Sequence, residues 1–273
     1  MTDSSSRPIG VFDSGIGGLT VLRALLRELP HEHFTYLGDT ARLPYGTKTA
    51  ESVVRYAVQA AEALTDLGVK CLVVACNTAS SVGLAAMRER VGALPVVGVI
   101  EPGAAAACAA TRSGHIAVLA TERTVREGAY QEAILGCRRD ARISAVAAPL
   151  FVALAEEGLC EGPIVNAVIR HYLDPLFAAG RSAPDTLVLG CTHFPVLTPA
   201  IRTVIGPRVD VVDSAQTTAR AVRSRLGAAG ALASSGAGEV HFLATDGPER
   251  FARVGGRFLG REIAAEEVDL IDL

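Results

Sequence analysis

Hydrophobic positions in this chain come in short unbroken runs separated by longer stretches in which apolar residues recur every three to four positions. The short runs are IGVF (9–12), FTYLGD (34–39), LVVA (72–75), PVVGVIEP (95–102), HIAVLAT (115–121), ISAVAAPL (143–150), LVLG (187–190), VDVVD (209–213) and HFLATD (241–246). Apolar runs this short, without polar alternation, predict strands buried on both faces, as in a parallel sheet. Between them, helical spacing predicts helices over 19–29, 49–68 (stopping at Gly68), 80–91, 103–111, 163–179, the stretch after 213, and a terminal helix over 248–260. Strands that alternate with helices imply an α/β fold, parallel sheets flanked by helices. Residues 1–7 read as disordered, and the Gly/Ala/Ser-rich segment 226–239 as a loop or mobile connection.

Two of these strands end alike. LVVACNTAS (72–80) and LVLGCTHFP (187–195) each run from an apolar strand into a cysteine and then two polar residues, Asn77 and Thr78 in one, Thr192 and His193 in the other. A helix is expected after each, with Pro195 suited to a first helical turn. Cys191 lies 115 positions after Cys76, and the strand ending at Thr121 lies 108 positions after the one ending at Asp13. The near-equal offsets predict two similar parallel-sheet α/β domains, a pseudo-duplication. The expected first domain is discontinuous, 1–100 plus 210–273, and carries Cys76; the second, 101–209, carries Cys191. Ligands of open α/β sheets gather at the carboxyl ends of strands. Two thiols at such ends predict an active site in an interdomain cleft with a sulfur on each wall. One thiolate could remove a proton from a carbon while the opposite thiol returns one, which is what inversion of that carbon requires.

Composition narrows the alternatives. A length of 273 residues allows about two domains. A formal charge of −3 argues against a general polyanion-binding surface, while leaving room for a local basic patch. No apolar run reaches membrane-spanning length, and MTDSSSRPIG lacks the apolar stretch of a signal peptide, so a cytoplasmic protein is expected. Six cysteines with no CxxC pair weaken a zinc or thioredoxin-like reading, and the ordinary fate of such thiols is inert packing. Only Lys48 and Lys70 could form a Schiff base, and neither sits where pyridoxal phosphate would want it; no cofactor is expected. The turn DSGIGG (13–18) resembles a dinucleotide loop, but position 20 is Thr in place of the third glycine, and Asp13 would repel a pyrophosphate. Asp13 and Ser14 read better as polar groups facing the same cleft as Cys76. His31 and His33 form an HxH pair without further ligands, so a surface loop is expected and no metal site. Glu156 and Glu157 fit a solvated helix face as well as a site.

Taken together, DSGIGG, LPYG (43–46), ACNTAS and GCTHFP resemble, in order and over nearly the whole chain, the glutamate racemases of the cofactor-independent aspartate/glutamate racemase superfamily. The resemblance implies that Cys76 and Cys191 exchange the α-proton, that Asp13 and His193 assist them, and that Glu156 corresponds to a further acid, although FVALAE (151–156) departs from the family's FVPLVE. It places substrate contacts at Asp13, Ser14, Pro44, Tyr45, Gly46, Asn77, Thr78, Thr192 and His193, with Thr121 and Thr124 as a further polar pair. It further implies D-glutamate supply for peptidoglycan, a homodimeric assembly, no nucleic acid bound directly, and an interaction with DNA gyrase of the kind reported for some members. The alternatives are a racemase of another substrate such as aspartate or a hydantoin, and a two-lobed amino-acid-binding or regulatory protein.

Overall fold

A computed structural model describes residues 4–178 and 182–273. The chain begins with β1 (Ile9–Asp13), α1 (Leu19–Glu28), β2 (Phe34–Gly38), α2 (Ala50–Asp66), β3 (Cys71–Val74), α3 (Asn77–Val82), α4 (Leu84–Val91) and β4 (Val96–Gly98). It continues with α5 (Ile100–Ala110), β5 (His115–Ala120), α6 (Glu122–Glu127), α7 (Ala129–Cys137), β6 (Arg142–Ala147), α8 (Leu150–Glu157), α9 (Pro163–Phe177), β7 (Thr186–Gly190), α10 (Thr198–Ile205) and β8 (Asp210–Asp213). It finishes with α11 (Ser214–Ala228), β9 (Val240–Ala244), α12 (Pro248–Leu259) and β10 (Val268–Leu270). Two compact units result: the chain through Val99 with Ala215–Leu273, and Ile100–Ser214.

The first unit holds a six-stranded sheet in the order β10-β9-β2-β1-β3-β4, the second a four-stranded sheet in the order β6-β5-β7-β8. Every described pairing is parallel. The segment β2-β1-β3-β4 of the first sheet repeats the order of the whole second sheet, so β1 corresponds to β5 and β3 to β7. β1, β2, β3, β5 and β7 are buried along their whole length, which is why they read as unbroken apolar runs.

The helices cover these sheets through apolar stripes. On α2, Val53, Ala57, Ala60, Ala61 and Leu64 recur at helical spacing and lie with Leu72 and Val74 in one core cluster. Thr49 caps the helix by accepting the Ser52 N–H at 3.3 Å. In the second unit Phe151, Leu154, Val165, Ile169 and Leu173 close over Leu187 and Leu189. Each such buried side chain contributes about 1.5–3 kcal/mol of transfer free energy.

Five expectations need correction. The strand at 210–213 pairs with β7, so residues 210–214, expected in the first domain, belong to the second unit. The helix expected over 80–91 is two, α3 and α4, divided at Gly83, where a β-carbon would stand 3.1 Å from the Ala79 carbonyl oxygen and 3.2 Å from Ala57 Cβ. The chain does not end on α12: Val268–Leu270 adds an edge strand beside β9, too short to leave a pattern. Of residues 1–7, read as disordered, Ser4–Ser6 form a 3-10 turn. It is tied down by Lys70, whose ammonium donates to the Ser5 carbonyl at 2.6 Å, and by Arg7, which donates to the carbonyls of Gly68 and Val69. Residues 1–3, and residue 179 of the helix expected to end there, lie outside the described residues. α11 also runs into the segment read as a loop. The rest of that segment is anchored, since Ala231 accepts from Lys70 and the Ala233 N–H donates to Glu32.

Candidate active site

In the first unit the sequence places five residues at the carboxyl ends of adjacent strands. β1 ends in Asp13, fully buried, with Ser14 next; β3 leads to Cys76, 5% exposed, and then to Asn77 and Thr78. Cys76 is the N-cap of α3: its sulfur accepts the Ala79 N–H at 3.4 Å and donates to Ser14 Oγ at 3.3 Å. Cys76 thus sits with its sulfur at the N-terminus of α3, between a backbone N–H and the Ser14 hydroxyl. Asp13 is held in turn, its Oδ2 accepting the Gly15 N–H at 3.0 Å. A β-carbon on Gly18 would lie 2.4 Å from Asp13 Cβ, so glycine there is what lets the carboxylate tuck in. Beneath them Tyr36 donates to the Gly15 carbonyl; burial, then the neighbouring Asp13 and Cys76, push its phenol well above the ordinary value and keep it neutral.

The LPYG loop, expected to contact substrate, follows β2. Pro44 is exposed and Gly46 half-buried, but the Tyr45 side chain is buried and its hydroxyl donates to Asp39 Oδ2. Burial first, and the Asp39 charge second, raise this phenol far above its usual range. Asp39 also accepts from Arg42 Nε at 2.7 Å and from Thr245 at 2.9 Å, while Arg42 lies 4.4 Å over the Tyr56 ring. The Tyr45 phenol is thus an anchor for its loop, and Gly46 and the backbone are left as the surface the loop presents. The Asp39 network was missed in the sequence; a carboxylate closing β2 was its visible sign.

The second unit builds the matching arrangement from β5 and β7. Cys191, 5% exposed, follows β7, and Thr192 and His193 follow it. Cys191 Sγ lies 3.8 Å from His193 Nδ1, and His193 Nε2 lies 3.1 Å from Glu156 Oε1 on the last turn of α8. The sequence left Glu156 between site and solvent; the structure brings it to His193, while Glu157 is exposed. Although only two positions apart, the Cys191 sulfur and the His193 ring nitrogen come within hydrogen-bond reach. Thr121 closes β5 as the N-cap of α6, and its hydroxyl lies 3.0 Å from that of Thr124. Tyr130, unnoticed in the sequence, supports the end of β7: a β-carbon on Gly190 would meet its ring at 2.9 Å.

Other candidates are accounted for structurally. His31 Nδ1 lies 2.7 Å from the Gly236 carbonyl, and His33 accepts the Glu239 N–H. Lys70 is buried against Glu32 at 2.6 Å. Among the described residues no group of three or more His, Cys, Asp or Glu is placed to hold a metal ion, and no helix is long and apolar enough to cross a membrane.

With this geometry in hand, comparisons with known proteins place the chain. The profile of the Asp/Glu/Hydantoin racemase family matches residues 9–222. A glutamate racemase of Geobacter metallireducens is 48% identical over 258 residues, covering 94% of each chain. The crystal structure of a glutamate racemase from Francisella tularensis in complex with D-glutamate superposes with a TM-score of 0.90 at 34% identity, over 98% of both chains. That of a glutamate racemase isoform from Bacillus anthracis gives 0.92 at 36%, again over 98% of both. A family profile spanning residues 9–222, with relatives 34–48% identical over 94–98% of the chain, shows that the chain belongs to the Asp/Glu/hydantoin racemase family.

Proposed function

We infer that this protein is a glutamate racemase, interconverting L- and D-glutamate by a cofactor-independent two-base proton transfer between Cys76 and Cys191. The observation that carries the reading is the equivalence of the two cysteines. Each stands at the end of the corresponding strand of a repeated four-strand core, with polar groups already directed at its sulfur. In each turnover one cysteine, as thiolate, takes the α-proton, and the other, as thiol, delivers its proton to the opposite face of the carbon. The pair ends with thiol and thiolate exchanged and the charge unchanged.

The α-proton of an amino acid is a weak acid, so the transition state needs donors already in place around the developing negative charge. Ser14, Asn77, Thr78, Thr121, Thr124 and Thr192, with the backbone around Gly46, are suited to hold the two carboxylates. Asp13 orients the Cys76 side. His193, backed by Glu156, moves the proton on and off Cys191 or holds the imidazole at the charge that Cys191 requires. The product D-glutamate would serve peptidoglycan synthesis in the cytoplasm.

The test is α-proton exchange in D2O with single cysteine variants. Cys76→Ala and Cys191→Ala should each abolish racemisation; full turnover by either variant defeats the two-base reading. A circular-dichroism panel of aspartate, hydantoin and glutamate enantiomers checks the substrate, with glutamate turned over fastest. A pure amino-acid binder would incorporate no deuterium. Light scattering checks the homodimer, and a supercoiling assay with purified gyrase checks that partner.

A further inference from the structure

Two cysteines outside the proposed chemistry meet on the helical layer of the second unit. α5 and α7 pack side by side in one register: a β-carbon on Gly103 would lie 3.4 Å from the Tyr130 ring, Cys108 Sγ lies 3.6 Å from the Ile134 carbonyl oxygen, and Arg138 Nη1 donates to the Thr111 carbonyl at 3.3 Å. Cys137 is one turn beyond Ile134. Helical side chains lean back towards the N-terminus, which brings the Cys137 thiol down to the level of Ile134 and within hydrogen-bonding reach of Cys108. Cys137 is exposed and Cys108 half-buried, whereas Cys71, Cys76 and Cys191 are buried. Burial of Cys108, and then the neighbouring Cys137, raise its thiol pKa, an effect opposed by the Arg138 guanidinium beside it.

We propose that Cys108 and Cys137 form a reversible thiol–disulfide pair, closed by peroxide, that fastens α5 to α7. Peroxide reaches the exposed sulfur of Cys137 first. The thiolate attacks one peroxide oxygen, the O–O bond breaks, and hydroxide leaves, giving a sulfenic acid. Cys108 then attacks that sulfur; its proton goes to the departing hydroxide as water, and the S–S bond forms. Overall, two thiols and one hydrogen peroxide give one disulfide and two waters. An exposed sulfur with a half-buried partner one contact away is the arrangement of an attacked and a resolving cysteine. Tyr130 lies on α7 and supports the end of β7, so the cross-link stiffens the helix beneath Gly190 without touching Cys191.

The experiment uses the full, reduced protein exposed to a few equivalents of hydrogen peroxide, then alkylated and mapped by mass spectrometry. The expected result is a loss of about 2 Da and a linked pair of peptides carrying Cys108 and Cys137, reversed by dithiothreitol. Oxidised protein should melt at a higher temperature than reduced protein, with the difference erased by dithiothreitol. Cys108→Ser should leave a Cys137 sulfenic acid trappable by dimedone, with unchanged racemisation before oxidation. The proposal is overturned if the link forms between other cysteines, if wild-type Cys137 stops at the sulfenic acid, or if Cys108→Ser does not change the fate of Cys137. The peptide-mapping, melting and dimedone readouts do not depend on the racemase reading.

Discussion

Replacing Tyr45 by Phe separates two roles for the LPYG loop, contact with substrate through the phenol or anchorage through it. The hydroxyl is buried and donates to Asp39 Oδ2, a carboxylate that is itself fully buried. Removing the hydroxyl leaves Asp39 with Arg42 and Thr245, so the carboxylate keeps partners and the loss is confined to one hydrogen bond to a charged group. Such a bond is worth about 1.5–3 kcal/mol. In a domain of this size each kcal/mol moves the melting temperature by roughly 2–4 °C, so Tyr45→Phe should melt about 3–12 °C lower. Differential scanning calorimetry gives the shift, and KM for each glutamate enantiomer gives the substrate side. The expected pattern is a lower melting temperature with KM changed less than about 3-fold, since less than one kcal/mol of binding is then at stake. Unchanged melting with KM raised 10-fold or more would refute the anchoring role and return the phenol to the substrate.

Further perturbations address the rest of the site. Gly18→Ala would put a methyl 2.4 Å from Asp13 Cβ; we expect about 1–3 kcal/mol of destabilisation and a lower kcat, measured by denaturant melts and racemisation rates. Glu156→Gln keeps a hydrogen bond to His193 but removes the charge, and kcat should fall roughly 10- to 100-fold. Because the two enantiomers are equal in free energy, kcat/KM must fall equally in both directions, so an unequal fall would point to an assay fault rather than to Glu156. Asp185 at the start of β7 is raised by burial but pulled down more strongly by hydrogen bonds from Thr111, Ser113 and Arg112, to about 2. Its folded-state pKa lies below the unfolded value of 3.8, so its contribution is complete above that pH and is lost as pH falls towards 2. Asp185→Asn should flatten the acid limb of the stability curve over that window, read by circular dichroism.

The strands were legible because burial on both faces removes the need for polar positions. β1, β3, β5 and β7 therefore carry a signal that no competing element shares. The pairing of β8 was harder to read, since which sheet takes a strand is decided by neighbours rather than by the strand's own residues, and Val211–Val212 would suit either. β10 left no trace because Asp269 and Leu270 are exposed at an edge and only Val268 is buried. In each case the sequence records burial well and partnership poorly.

The same division holds in the candidate site. Cys76, Asn77, Cys191 and His193 stand out because polar residues interrupt an apolar run at a strand end, a local event. Glu156 and Asp39 do not, since each takes its meaning from a residue that the fold carries to it, His193 across 37 positions and Thr245 across 206. Tyr45 is the converse case: the resemblance names it for substrate, and the fold also brings its hydroxyl onto Asp39. A motif thus marks where chemistry is exposed, while the groups that hold it in place are chosen by packing. Such supporting groups come into view only once distances do, and it is on them that a variant will separate loss of position from loss of chemistry.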